Sequence, residues 1–111
     1  MKNPANLPIP ALKALRKLGQ DINDARRRRR ITLGLMAERA GLSKATISKV
    51  EKGDPTASMG AYSAVLFALG LVDRINELAD ASNDFTGRHL EAEKLPLRVR
   101  LPKKKKAGSD E

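Results

Sequence analysis

The stretch Thr32-Leu-Gly-Leu-Met-Ala-Glu-Arg-Ala-Gly41-Leu-Ser43-Lys-Ala-Thr-Ile-Ser-Lys-Val-Glu-Lys-Gly53 decides the fold. Thr32 is an N-cap residue, and the spacing behind it predicts a short helix over 33–40 with Leu33, Met36, Ala37 and Ala40 inward. Gly41 stops that helix in a left-handed turn. Ser43 caps a second helix over 44–52, with Ile47 and Val50 facing the core, and Gly53 closes it. Two short helices either side of a Gly-Leu-Ser turn read as a helix-turn-helix. The steep crossing needs a small residue on the first helix, which Ala37 supplies, and a positive φ in the turn, which Gly41 supplies. Outward on the second helix are Lys44, Ala45, Thr46, Ser48, Lys49 and Lys52. That face has three cations, two hydroxyls and no acid, and it suits a major groove, where Lys reaches guanine O6 and N7. Lys44 and Lys49 could read bases or clamp phosphates, and sequence leaves both open.

On the N-terminal side, Pro4, Pro8 and Pro10 mark residues 1–10 as an arm. Leu12, Leu15, Leu18, Ile22 and Ala25 recur at three and four, predicting an amphipathic helix over 11–29. The run Arg26–Arg30 ends it, where cations suit the negative end of the helix dipole. Five consecutive arginines wrap the axis, so two or three of them, from Arg28, Arg29 and Arg30, are expected against a phosphate backbone. On the C-terminal side, Asp54-Pro55 forms a turn and Ser58 caps a helix over 59–69 carrying Tyr62, Val65, Leu66 and Leu69. Tyr62 and Phe67 are expected in core or dimer packing. After Gly70 a fifth helix is expected over 72–81, with Ile75, Leu78 and Ala79 inward. The reading is an all-α five-helix domain over 11–81. A C-terminal extension over 82–111 follows, partly disordered. In it Leu97–Leu101 alternates apolar and Arg residues, a short strand that Pro96 and Pro102 would confine to an edge.

At 111 residues the chain is long enough for one modest core. Its formal charge is +9, and this is segregated. Residues 1–53 hold 13 Lys/Arg against 4 Asp/Glu, residues 54–93 hold 2 against 7, and residues 94–111 hold 7 against 2. The pattern implies a basic face for a polyanion, an acidic segment for solvent or a protein partner, and a basic tail, Lys103–Lys106, that adds non-specific affinity. Aromatics are 3% and Trp is absent, which argues against stacking of unpaired bases. Absence of cysteine excludes disulfides, thiolate catalysis and Cys-based zinc sites. The single histidine, His89, is expected on the surface. Asp73, Glu77 and Asp80 share a helix face, but no second reactive group accompanies them. No catalytic, cofactor or metal residue is nominated, and an enzyme is not expected. The stretch Ala61–Val72 is too short to span a bilayer and no signal peptide is visible, so a cytoplasmic, nucleoid-associated protein is expected.

Ala37-Glu-Arg-Ala-Gly-Leu-Ser43 and Ile47-Ser-Lys-Val-Glu-Lys-Gly53, with the upstream Ile22-Asn-Asp-Ala-Arg26, resemble the XRE family, the Cro- and phage-repressor-like helix-turn-helix proteins. The resemblance covers residues 15–81. It implies a partly buried ion pair between Arg26 and Glu51, base reading at Lys44, Ala45 and Lys49, and phosphate clamping at Thr32, Ser43 and the backbone near Lys52. Where the family usually has a phosphate-gripping Gln this chain has Leu33, which puts that contact in doubt and makes Arg28–Arg30 the candidates to compensate. Ala45 offers only a methyl, suited to a thymine. The implied function is a repressor that binds double-stranded DNA. One short helix reads only a few base pairs, so a homodimer on an inverted repeat is expected, joined through the 58–81 helices or the 95–101 segment. Ser58-Met-Gly-Ala-Tyr62, Ala68-Leu-Gly-Leu71 and Asp84-Phe-Thr-Gly-Arg-His-Leu90 also resemble the regulators found beside HipA-type kinase toxins. That implies an alternative role as an antitoxin masking a kinase-like toxin. A general basic nucleic-acid binder is the remaining alternative.

Overall fold

A computed structural model describes residues 6–94, and within them the regular elements are all helical. They are α1 (Ile9–Arg28), α2 (Leu33–Ala40), α3 (Lys44–Glu51), α4 (Met59–Leu69) and α5 (Phe85–Lys94), with 3₁₀ turns at Val72–Glu77 and Ala81–Asn83. The all-α class therefore holds. The 97–101 strand and the Lys103–Lys106 run lie outside the described residues, as do residues 1–5 of the arm. The chain divides into two compact units, one ending at Ile75 and the other beginning at Asn76.

In the first unit, α1 starts two residues earlier than its apolar spacing suggests. Pro8 stands at the cap and Pro10 in the first turn, where a missing N–H costs nothing. Thr32, Ser43 and Ser58 each accept a hydrogen bond from the backbone N–H three residues on and so start α2, α3 and α4. α3 touches α1, α2 and α4. Ile22, Met36, Ile47, Val50 and Val65 are fully buried at the centre of a cluster that includes Ala37, Tyr62 and Leu69. Leu15, Leu18 and Leu33 pack on it, half-buried. Tyr62 donates its hydroxyl to the Asp54 carbonyl at 3.0 Å, tying α4 to the end of α3. The phenol's pKa is raised by burial and by the Asp54 charge. Asp54 accepts hydrogen bonds from the Thr56 hydroxyl and N–H, which hold its carboxyl below the ordinary 3.8.

The helix expected over 72–81 is corrected. Val72–Glu77 is 3₁₀, Val72 and Ile75 are half-buried, and Leu78 is 67% exposed. Side chains divert the backbone here. Asn83 Nδ2 donates to the Glu77 carbonyl at 2.8 Å and Asp80 accepts from the Ser82 N–H and hydroxyl, so a continued helix loses its partners to local turns. The fifth α-helix lies instead at Phe85–Lys94, inside the segment read as an extension. Asp84 starts it by accepting from the Gly87 N–H at 2.9 Å. His89 is exposed on it, stacked on Phe85 and 3.2 Å from Glu93.

Candidate nucleic-acid interface

The turn between α2 and α3 is built by Gly41 at φ 70°, with the Leu42 N–H returning to the Ala37 carbonyl at 3.0 Å. That six-residue closure recurs after α1, α3 and α4, at Arg30, Gly53 and Gly70. Glycine takes the left-handed position in three cases. In the fourth it is Arg30, at φ 55°.

Lys44, Ala45 and Lys49 are exposed on α3 and Lys52 at its C-cap, while the helix's one carboxylate, Glu51, turns inward. Thr46 and Ser48 are half-buried. The Thr46 hydroxyl lies 3.0 Å from Ser43 Oγ, so one of the two donates to the other, and the accepting hydroxyl keeps its own hydrogen for another acceptor. Thr32 Oγ1 accepts from the Leu35 N–H, which leaves its own hydrogen for another acceptor. The Lys44 stem lies over α2 beside Gly34, where an added Cβ would meet Lys44 Cε at 3.5 Å.

The arginine run divides by role. Arg26 Nε donates to Glu51 Oε2 at 2.6 Å and Nη2 to Oε1 at 3.2 Å, while Nη1 donates to the Ile31 carbonyl at 2.7 Å. These side chains are 11% and 8% exposed. Asn23 Nδ2 adds a bond to Glu51 Oε1 at 2.7 Å. One network thus joins α1, the α1–α2 link and α3. Arg29 Nη1 donates to the Ala25 carbonyl at 2.8 Å and closes the end of its own helix. Arg28 and Arg30 are exposed, and their side chains make no hydrogen bond or ion pair among the described residues. Leu33 is half-buried against the core, so it is a packing residue where a Gln would reach outward.

Two contributors escape a reading of the sequence. Asn23 supports Glu51 from one turn before Arg26. Gly19 lies where α1 meets the end of α3, and a Cβ on it would stand 2.5 Å from the Gly53 N and 2.7 Å from the Glu51 and Val50 carbonyls. A glycine inside an otherwise helical pattern is the one signal that could have flagged it.

Among the described residues no cluster of acids and histidine could hold a metal, and no helix is long and apolar enough to cross a membrane. Comparison with curated proteins gives no match, and comparison with solved structures gives none. A family model described as a helix-turn-helix domain matches residues 17–79, which takes in α1 from its third turn, the α2–α3 pair and all of α4. The chain is therefore a member of the helix-turn-helix domain family, related to the XRE-type proteins, and DNA is its partner in general terms.

Proposed function

We propose that the protein is a sequence-specific regulator of transcription, a repressor, that binds an inverted repeat in double-stranded DNA as a homodimer. It acts in the cytoplasm, on the nucleoid. The supporting observation is the outer face of α3, where Lys44, Lys49 and Lys52 are exposed with no acid among them. α3 enters the major groove. Lys44, Ala45 and Lys49 meet base edges, and Thr46 and Ser48 flank them at the rim. Thr32, Ser43, Lys52, Arg28 and Arg30 hold phosphates, assisted by the N–H groups at the starts of α2 and α3. Arg29 contributes charge to the same region from its place on the α1 end.

On a duplex selected from a random pool, Lys44→Ala and Lys49→Ala are each expected to lose about 1–3 kcal/mol, roughly 5- to 150-fold, while binding to unrelated duplex changes little. An equal loss on every duplex would assign both lysines to phosphates and favour a general nucleic-acid binder.

Arg30 gives a second prediction. A non-glycine residue at φ 55° costs about 1–2 kcal/mol. Arg30→Gly should therefore raise stability in urea by about 1 kcal/mol and lower the slope of log K against log salt by about 1. A stabilised variant with wild-type DNA affinity and slope would remove Arg30 from the phosphate contacts.

The acidic residues Asp73, Glu77, Asp80, Asp84, Glu91 and Glu93 are all exposed. They favour a second reading, an antitoxin that also masks a HipA-type kinase toxin and represses its own operon. Purification together with a kinase encoded beside the gene tests it, and the protein recovered alone from cells expressing both would count against it.

A further inference from the structure

α4 is an eleven-residue helix with no charged side chain, in a chain that is 32% charged. It packs on α1, α2 and α3, and its remaining arc looks away from them. On that arc Met59 is 57% and Phe67 69% exposed, with Gly60, Ser63 and Ala64 between them. Ser63 spends its hydroxyl on the Met59 carbonyl at 2.8 Å, so even the polar residue of the arc offers solvent little. A surface helix normally carries charge on its outer side.

From this we infer that the outer arc of α4 is the contact between two copies of the chain, with Phe67 of one copy seated beside Met59 of the other. The inference rests on the reading of the protein as a DNA-bound dimer. Charge argues for a second copy as the occupant. Residues through Ile75 hold 14 Lys/Arg against 6 Asp/Glu, a net +8, so two such units repel across their basic faces. The uncharged arc is where they can approach without that cost. Shape argues the same way. Large residues stand two turns apart with small ones between, so an antiparallel pairing about a two-fold axis at Ser63 sets each Phe67 against a Met59. Thioether–aromatic contact is favourable in that arrangement. One helix face is smaller than the roughly 1,200 Å² that a stable interface buries, so the pair is weak in solution and completed when both copies hold DNA.

Sedimentation equilibrium of the full chain up to about 1 mM tests this. The wild type should show a reversible monomer–dimer equilibrium. Phe67→Glu, which sets two carboxylates at the contact, should weaken association by at least about tenfold, and Phe85→Glu should leave it unchanged. Because Phe67 is exposed, Phe67→Glu should keep the wild-type Tm, and circular dichroism checks this. Monomeric wild type at all concentrations, or Phe67→Glu dimers as tight as wild type, would overturn the inference. So would a wild type that stays monomeric while Phe67→Glu melts several degrees lower, which would mean that residues 76–111 of the same chain cover the arc. On the selected duplex Phe67→Glu should keep half-site binding and lose cooperativity. A wild type that dimerises through Phe67 yet prefers no duplex would sink the DNA reading and leave the interface standing.

Discussion

Gly53→Ala is expected to remove about 2–5 kcal/mol of folding stability, a large part of the 5–15 kcal/mol of an ordinary domain. Two costs combine at this residue. Its φ of 70° costs about 1–2 kcal/mol for any residue with a Cβ. That Cβ would also run into the backbone of α1, against the Leu15 carbonyl oxygen, with the Leu15 carbonyl carbon at 2.6 Å and Arg16 Cα at 2.7 Å. Backbone cannot turn aside as a side chain can, so α1 and α3 would have to separate, at about 1–3 kcal/mol. Other glycines resolve the two costs. Gly41 has the same φ with nothing within 4 Å of an added Cβ, so Gly41→Ala should lose about 1–2 kcal/mol. Gly19 is helical and meets backbone atoms, so Gly19→Ala should destabilise although alanine ordinarily gains about 1 kcal/mol in a helix. Urea unfolding of the three variants measures this. A Gly53→Ala loss no greater than that of Gly41→Ala would show that the close approach of the helices carries no energy.

Arg26→Ala and Glu51→Ala should each cost about 3–5 kcal/mol, because either leaves its partner buried and unpaired. Glu51→Ala strands a guanidinium that keeps only the Ile31 carbonyl. Arg26→Ala leaves the Glu51 carboxylate with only Asn23, and it also frees the Ile31 carbonyl. Arg26→Lys should recover little, since an ammonium cannot present three N–H groups in one plane to two carboxylate oxygens and a carbonyl. The double replacement Arg26→Met with Glu51→Leu should return most of the lost stability, as an apolar pair of similar size leaves no charge to satisfy. A thermal or urea double-mutant cycle reads all of this. Additive losses in the cycle would mean that the two side chains do not act as a pair. With both side chains at about one-tenth exposure, the loss should also persist in high salt.

Much of the first unit is legible in the sequence because its signals are local. Thr32, Ser43 and Ser58 are capping residues ahead of apolar periods, and Gly41, Gly53 and Gly70 end helices; each acts within about six residues. Tyr62 follows the apolar period into the core. Phe67, five residues further, points outward at 69% exposure, since periodicity says which arc is apolar but not how much of it finds a cover. Gly19 is visible as a glycine inside a helix, while the carbonyls it approaches are more than thirty residues away in sequence. The end of the fold departs from its spacing for a physical reason. Leu78 and Ala79 continue a helical spacing, but Asp80, Asn83 and Asp84 offer the backbone nearer partners, and Asp84 then starts α5. The arginine run shows its charge but not its division of labour. Nothing in five identical residues announces that Arg26 turns inward, Arg29 closes the helix, and Arg30 takes a glycine's conformation.

The eight residues of α3 are too few to stay helical in water alone, where stretches shorter than about 12–15 residues are marginal. The helix persists because Ile47 and Val50 are held inside, Glu51 is gripped from α1, and its end rests on Gly19. None of these anchors lies at Lys44, Ala45, Lys49 or Lys52. Replacements at those four positions should therefore leave the scaffold unmoved and its Tm close to that of the wild type. The outer surface of α3 can therefore change residue by residue while the packing that holds the helix stays as it is. A peptide of residues 43–53 cut from the chain, by contrast, would keep those side chains and lose the fixed spacing between them.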